Sequence, residues 1–130
     1  MILRIALLLM LAITSLSSFS QTWKARWITA FENQNETNTW IVFRKEINID
    51  KKPSSLNAMI AADSKYWLWI NGELVVFEGS LKRGPNPNDT YYDEIDIAKY
   101  LQSGKNTIGV LLWYFGKEGF AHKSSGKSGL

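Results

Sequence analysis

KYWLWINGELVVF, residues 65–77, reads as a β-hairpin and decides the fold. At its centre lies Asn71-Gly72, the pair that a two-residue type I′ turn demands, because both turn positions need positive φ and these residues tolerate it. On either side, Tyr66 to Ile70 and Glu73 to Phe77 are rich in the aromatic and β-branched side chains that favour strands. Successive side chains of a strand point to opposite faces, so Tyr66, Leu68 and Ile70 share one side while Lys65, Trp67 and Trp69 share the other. One side must be the core. The Trp67 and Trp69 face is then exposed or covered by another body, and a large exposed apolar patch marks an interface.

Working outward, the same period of two recurs. Ile41, Phe43, Ile47 and Ile49 alternate with Arg44, Glu46 and Asn48, which predicts a strand over Trp40 to Ile49 ended by Pro53. Leu56, Ala58 and Ile60 continue the alternation, and Tyr91 to Ile95 re-enters the sheet. Asp96 is placed to cap a short helical turn, Ile97 to Leu101, closed by Gly104. Asn106 to Phe115 is the longest apolar run after the leader and predicts a central strand, with Trp113 in the core. Residues 79–90 hold Gly, Asn, Asp and two of the three prolines, a long surface loop, and residues beyond Gly116 thin to a Gly, Ser and Lys tail. These short strands with turn punctuation predict an all-β protein, a jelly-roll, galactose-binding-like β-sandwich. About six strands are countable where a jelly roll uses about eight, so the sandwich is expected to be truncated at its C-terminal strands.

The first 20 residues have the parts of a cleavable signal peptide: Arg4, the apolar stretch Ile5 to Ile13, and small residues Ser18 and Ser20 before a cut ahead of Gln21. The expected organisation is therefore a signal peptide over 1–20, an N-terminal arm over 21–39 carrying Trp23, Trp27 and Phe31, and the incomplete β-sandwich accessory domain over 40–130. The expected location is secreted or periplasmic, with no membrane partner once the signal is cut. The chain has no cysteine, which excludes a disulfide scaffold, a thiolate nucleophile and a cysteine-ligated zinc site. Of the formal charge of +3, Arg4 supplies one; the remaining +2 is scattered and too small to imply a nucleic-acid partner.

Chemistry-bearing groups are sparse. Asp93, Glu94 and Asp96 form the one dense acidic cluster, but neighbours on an extended segment point to opposite faces, and glycoside hydrolysis needs two carboxyl groups facing each other across a sugar. No catalytic residue is therefore assigned. His122, the single histidine, lies in the Gly and Ser tail and reads as a solvated loop residue. Gly126-Lys127-Ser128 resembles the end of a phosphate-binding loop, but Ala121 stands where the leading glycine belongs. No cofactor and no metal ligand set is expected, although Asp63, Asp89 and Asp93 offer oxygens for a structural calcium without the spacing of an EF-hand. The aromatics remain: Trp67, Trp69 and Trp113 on strands, with Tyr91 and Tyr92 after the long loop, offer flat faces on which sugar rings lie, with Arg83 and Asp89 able to bond hydroxyls. Core or inter-domain packing is the competing use of strand aromatics.

Several of these segments together resemble one family. Ile60-Ala61-Ala62-Asp63-Ser64-Lys65-Tyr66, Ile70-Asn71-Gly72-Glu73-Leu74-Val75, Arg83-Gly84-Pro85, Tyr92-Asp93, Asp96-Ile97 with Tyr100-Leu101, Gly104-Lys105-Asn106 and Val110 through Gly116 are similar, in order and spacing, to the N-terminal β-sandwich of α-L-rhamnosidases. The hairpin followed by D-I-x-x-Y-L-x-x-G-x-N also resembles sugar-binding jelly rolls of β-galactosidase-like enzymes; Arg83-Gly84-Pro85 and the Trp113-Tyr114-Phe115-Gly116 ending favour the rhamnosidases. The resemblance implies an accessory domain of a glycoside hydrolase whose catalytic (α/α)6 helical barrel lies elsewhere in the parent chain, and it transfers no catalytic residue here. The implied partners are rhamnose-containing glycans and the catalytic domain of the same parent chain. The alternatives are a stand-alone carbohydrate-binding module and a secreted adhesion or scaffold domain.

Overall fold

The computed structural model describes residues 24–30, 36–79, 91–119 and 122–130. The signal segment, Trp23, Phe31, Arg83, Asp89 and nearly all of the long loop lie outside the described residues. Six strands are described: β1 (Thr39–Ile49), β2 (Asn57–Ile60), β3 (Lys65–Ile70), β4 (Glu73–Gly79), β5 (Asp93–Asp96) and β6 (Gly104–Tyr114). They form two antiparallel sheets, one in the order β1-β6-β3-β4 and one of β2 with β5. The all-β expectation therefore holds.

β6 is central, as its apolar run requires: it pairs with all of β1, from Thr39 opposite Tyr114 to Ile49 opposite Gly104, and with all of β3 on its other edge. The β3–β4 hairpin turns at Asn71 and Gly72 with φ of 52° and 85°, the positive pair that the Asn-Gly sequence predicts. β4 slips register twice against β3, between the pairs Tyr66–Gly79, Leu68–Val76 and Trp69–Leu74. Extra residues in one strand redirect side chains locally. Consecutive Val75 and Val76 both pack on the core while Phe77 swings out to solvent. At the end of β4, any side chain at Gly79 would fall within the ring of its partner Tyr66, so only glycine lets that ring lie flat.

The core lies between the sheets. Tyr66, Leu68 and Ile70 of β3 meet Ile41 of β1 and Val110 and Leu112 of β6, with Ile97 and Leu101 at one end. Burial of each such aliphatic side chain contributes about 1.5–3 kcal/mol. Ala58, Ile60 and Ile95 of the smaller sheet cover this layer from above. Two strands do not cover four, and an apolar groove of about 560 Å³ opens over Leu68, Ile70 and Val110, walled by Ala58, Trp27 and Leu130. Tyr66 ties the sheets together, its hydroxyl donating to Asp93 Oδ2 at 2.8 Å.

Three expectations need correction. Trp113 is not in the core: the inward positions of β6 are Val110, Leu112 and Tyr114, which leaves Trp113 on the opposite face. The helical turn is a single 3-10 turn, Ala98–Tyr100, whose N-cap is Ile97; Asp96 sits one residue earlier and holds the backbone N–H groups of Leu56 and Ala98 on Oδ1. The third concerns the final segment. Ile28 and Leu130 exchange both backbone hydrogen bonds, Thr29 Oγ1 lies 3.0 Å from Ser128 Oγ, and Asp63 bridges to Gly129, so residues 122–130 are fastened to the fold and to the arm.

Candidate carbohydrate-contacting face

The outer face of the four-stranded sheet carries a stripe of aromatic rings across every strand. Trp40 of β1 stands opposite Trp113 of β6, and their rings stack with centroids 4.7 Å apart and planes 9° from parallel. Trp40 also stacks on Trp67 of β3 at 5.6 Å and 27°, and Trp67 meets the edge of Phe77 of β4 at 6.2 Å and 85°. Beyond β6, Phe115 abuts Trp113 edge-on at 4.5 Å. Offset stacks and edge-to-face pairs are the favoured arrangements of rings with negative faces and positive edges.

Local structure fixes this stripe. Asn38, at φ 57° in the turn before β1, accepts the Trp113 indole N–H on Oδ1 at 2.9 Å, and its own N–H bonds Phe115 O. The indole is thereby held at its polar end as well as by stacking. Trp40 remains 48 % exposed, with Val42 at 73 % and Phe77 at 70 %, so the stripe is a contiguous surface feature. Charges border it: Lys65 of β3, opposite Trp113, pairs with Glu78 at 2.7 Å, and Glu46 of β1 holds both Arg44 and Lys105. Those two cations keep the Glu46 carboxyl below its usual range, Lys105 first and then Arg44.

The sequence-level candidates divide. Trp67 belongs to the stripe and Trp69 lies on the same strand face, paired across β6 with Gly109. Tyr91 and Tyr92 are exposed and directly precede β5 of the two-stranded sheet. Trp113, also a candidate, joins Trp67 in the stripe, and Trp40 and Phe77, which were not candidates, complete it. The signal for Trp40 is its cross-strand pairing with Trp113, which needs the β1–β6 register.

The acidic cluster has structural employment. Asp93 accepts the Tyr66 hydroxyl, Glu94 accepts Asn57 Nδ2 at 2.9 Å, and Asp96 holds two backbone N–H groups, which, Ala98 first, keep its carboxyl below the ordinary range. Burial, with Asp93 assisting, raises the Tyr66 hydroxyl far above the ordinary tyrosine range. Asp63, offered above as a calcium donor, is fully buried and accepts from Ser64, Ser124 and Ser125. His122 is not a solvated loop residue but is buried beside Asp63, its ring 5.0 Å from that of Phe115.

No protein-family model matches the chain. Among curated proteins, an α-L-rhamnosidase of Formosa agariphila is 32 % identical over 74 residues, covering 54 % of this chain and 8 % of that protein. Among solved structures, the GH78 family rhamnosidase of Bacillus sp. GL1 matches 85 % of this chain with a TM-score of 0.68 and 29 % identity, over 13 % of its own length. The α-L-rhamnosidase of Dictyoglumus thermophilum matches 71 % with a TM-score of 0.54 and 30 % identity, over 12 % of its own length. The chain is thus similar in sequence and fold to a segment of α-L-rhamnosidases and spans 8–13 % of the length of these proteins.

Proposed function

We propose that this chain is the N-terminal accessory β-sandwich of a secreted α-L-rhamnosidase-like glycoside hydrolase, and that its outer aromatic face contacts rhamnose-containing glycan. Catalysis in this reading belongs to another domain of the parent polypeptide, and further strands complete the sandwich over the open groove. The observation that carries the reading is the Trp40–Trp113 stack held by Asn38 on an exposed face, in a chain about one-third identical to a rhamnosidase segment. Indole faces accept the C–H surface of a sugar ring, and a rigid platform loses little entropy on binding. Rhamnose, a 6-deoxy sugar, adds a methyl group that suits an apolar surface. The charged border of Lys65, Glu78 and Arg44 supplies partners for hydroxyls.

Glycan-array and calorimetric binding of the chain, with Trp40→Ala and Trp67→Ala beside it, tests this. Binding to rhamnose-bearing glycans should weaken by about tenfold or more in each variant, the equivalent of about 1.4 kcal/mol. A second reading is supported by the aliphatic exposure of Val42 and Leu74, which suits packing against the catalytic domain. Under that reading no glycan binds, and the outer face gains hydrogen-exchange protection when the chain is joined to the rest of its parent.

A further inference from the structure

Asp63 and Ser64, between β2 and β3, are both fully buried, and they fasten the final segment to the sheet. Asp63 Oδ2 accepts the backbone N–H of Ser125 at 2.5 Å, the Ser125 hydroxyl at 2.7 Å and the Ser124 hydroxyl at 3.3 Å. Oδ1 accepts the Ser64 hydroxyl at 2.9 Å, and the Asp63 N–H bonds Gly129 O at 3.1 Å. One carboxylate thus accepts three hydrogen bonds from two consecutive residues of a segment with little apolar anchorage of its own.

His122 lies inside this clasp. It is only 6 % exposed, and among the described residues neither ring nitrogen has a hydrogen-bond partner. Asp63 Oδ1 is 3.8 Å from Nε2, beyond hydrogen-bond reach. On the segment's own side, Glu118 is drawn to Lys123 at 2.6 Å, and Phe115 presents a ring. Asp63, Glu118 and Lys123 are the charged groups around the imidazole among the described residues. A buried neutral imidazole already carries one unpaired N–H; protonation would add a second donor and a full charge without a bonded acceptor.

We infer that His122 makes the clasp acid-labile: its protonation expels residues 122–130 from their seat on Asp63, and with them the Ile28–Leu130 and Thr29–Ser128 ties to the arm. Burial holds the imidazole below its ordinary range, with Asp63 and Glu118 opposing but not reversing the effect. The unfastened segment gains a proton near the ordinary value of about 6.5 while the seated one resists it, so the clasp is strongest above that pH and weakens below it. Release would also remove Leu130 and Trp27 from the wall of the apolar groove.

The test is hydrogen exchange of the full chain from pH 7.5 to 5, corrected for intrinsic rates and read on peptides covering 122–130, 24–30 and β6. Protection of the first two should fall by up to about tenfold per pH unit below about 6.5 while β6 holds, and His122→Phe should abolish the slope. A flat wild-type profile, or an equal slope in His122→Phe, overturns the inference. Should that variant fail to fold, the exchange rate of the His122 C2 proton against pH reads the imidazole directly in the wild type. A midpoint at or above about 6.5 likewise overturns it.

Discussion

Asn71 Nδ2 donates to Asn106 Oδ1 across 2.8 Å, joining the hairpin turn to the start of β6. Asn106 is completely buried and uses both ends of its carboxamide: Oδ1 also accepts the Gln102 N–H, and Nδ2 donates to Gln102 O and Gly104 O. Asn71 in turn accepts the Thr107 N–H and donates to Tyr100 O. The hairpin turn and the G-x-N element that carry part of the family resemblance are two halves of one polar lock. Asn106→Ala would strand several of these groups, each costing about 1–3 kcal/mol when buried and unpaired. The expected loss is at least about 2 kcal/mol, read as a lower denaturant midpoint at unchanged slope.

Gly72→Val should destabilise the hairpin by more than about 1 kcal/mol, because a β-branched residue resists the φ of 85° found there. Gly72→Asn should recover much of that loss, since asparagine enters the left-handed region at lower cost. Equal midpoints for the valine variant and the parent would contradict the turn assignment.

The two faces of β6 should respond differently to truncation. Leu112→Ala, in the core, should cost about 2–5 kcal/mol, and Trp113→Ala on the outer face should cost less. A double-mutant cycle over Trp40 and Trp113 should return a coupling of about 0.5–1.5 kcal/mol for their stack. Zero coupling would mean that the rings do not stack in solution.

Tyr66 predicts alkaline behaviour. Its hydroxyl is buried and bonded to Asp93, so the folded state keeps it protonated where the unfolded chain, titrating near 10, releases the proton. The stabilisation is complete below about pH 10 and is lost as pH rises above it. Tyr66→Phe should flatten that alkaline decline. It should also remove one late-ionising tyrosine from the ultraviolet titration.

Much of this architecture was legible in the residues. Asn71-Gly72 has few conformational options, and period-two alternation placed Tyr66, Leu68 and Ile70 on the buried side and Trp67 on the other. The run Val110-Leu111-Leu112-Trp113 is apolar at every position, so alternation could not choose its inward set; the β1–β6 register did. His122 and Asp63 are distant in sequence, and nothing local to a Gly and Ser segment reveals that a buried carboxylate collects its hydroxyls. The two register slips in β4, which expose Phe77, depend on β3 and have no signature in β4 alone.

The mutual hydrogen bonds of Ile28 and Leu130 have a mechanical meaning. In an antiparallel pair, the residues before Ile28 and the carboxyl side of Leu130 lie at the same end, so a pull applied there would separate the pair link by link instead of shearing it. Rupture would begin at Ile28 and Leu130, pass to Thr29 and Ser128, and on the side of the final segment reach the Asp63 carboxylate. The arm and the final segment are thus held by bonds that such a pull would break one at a time.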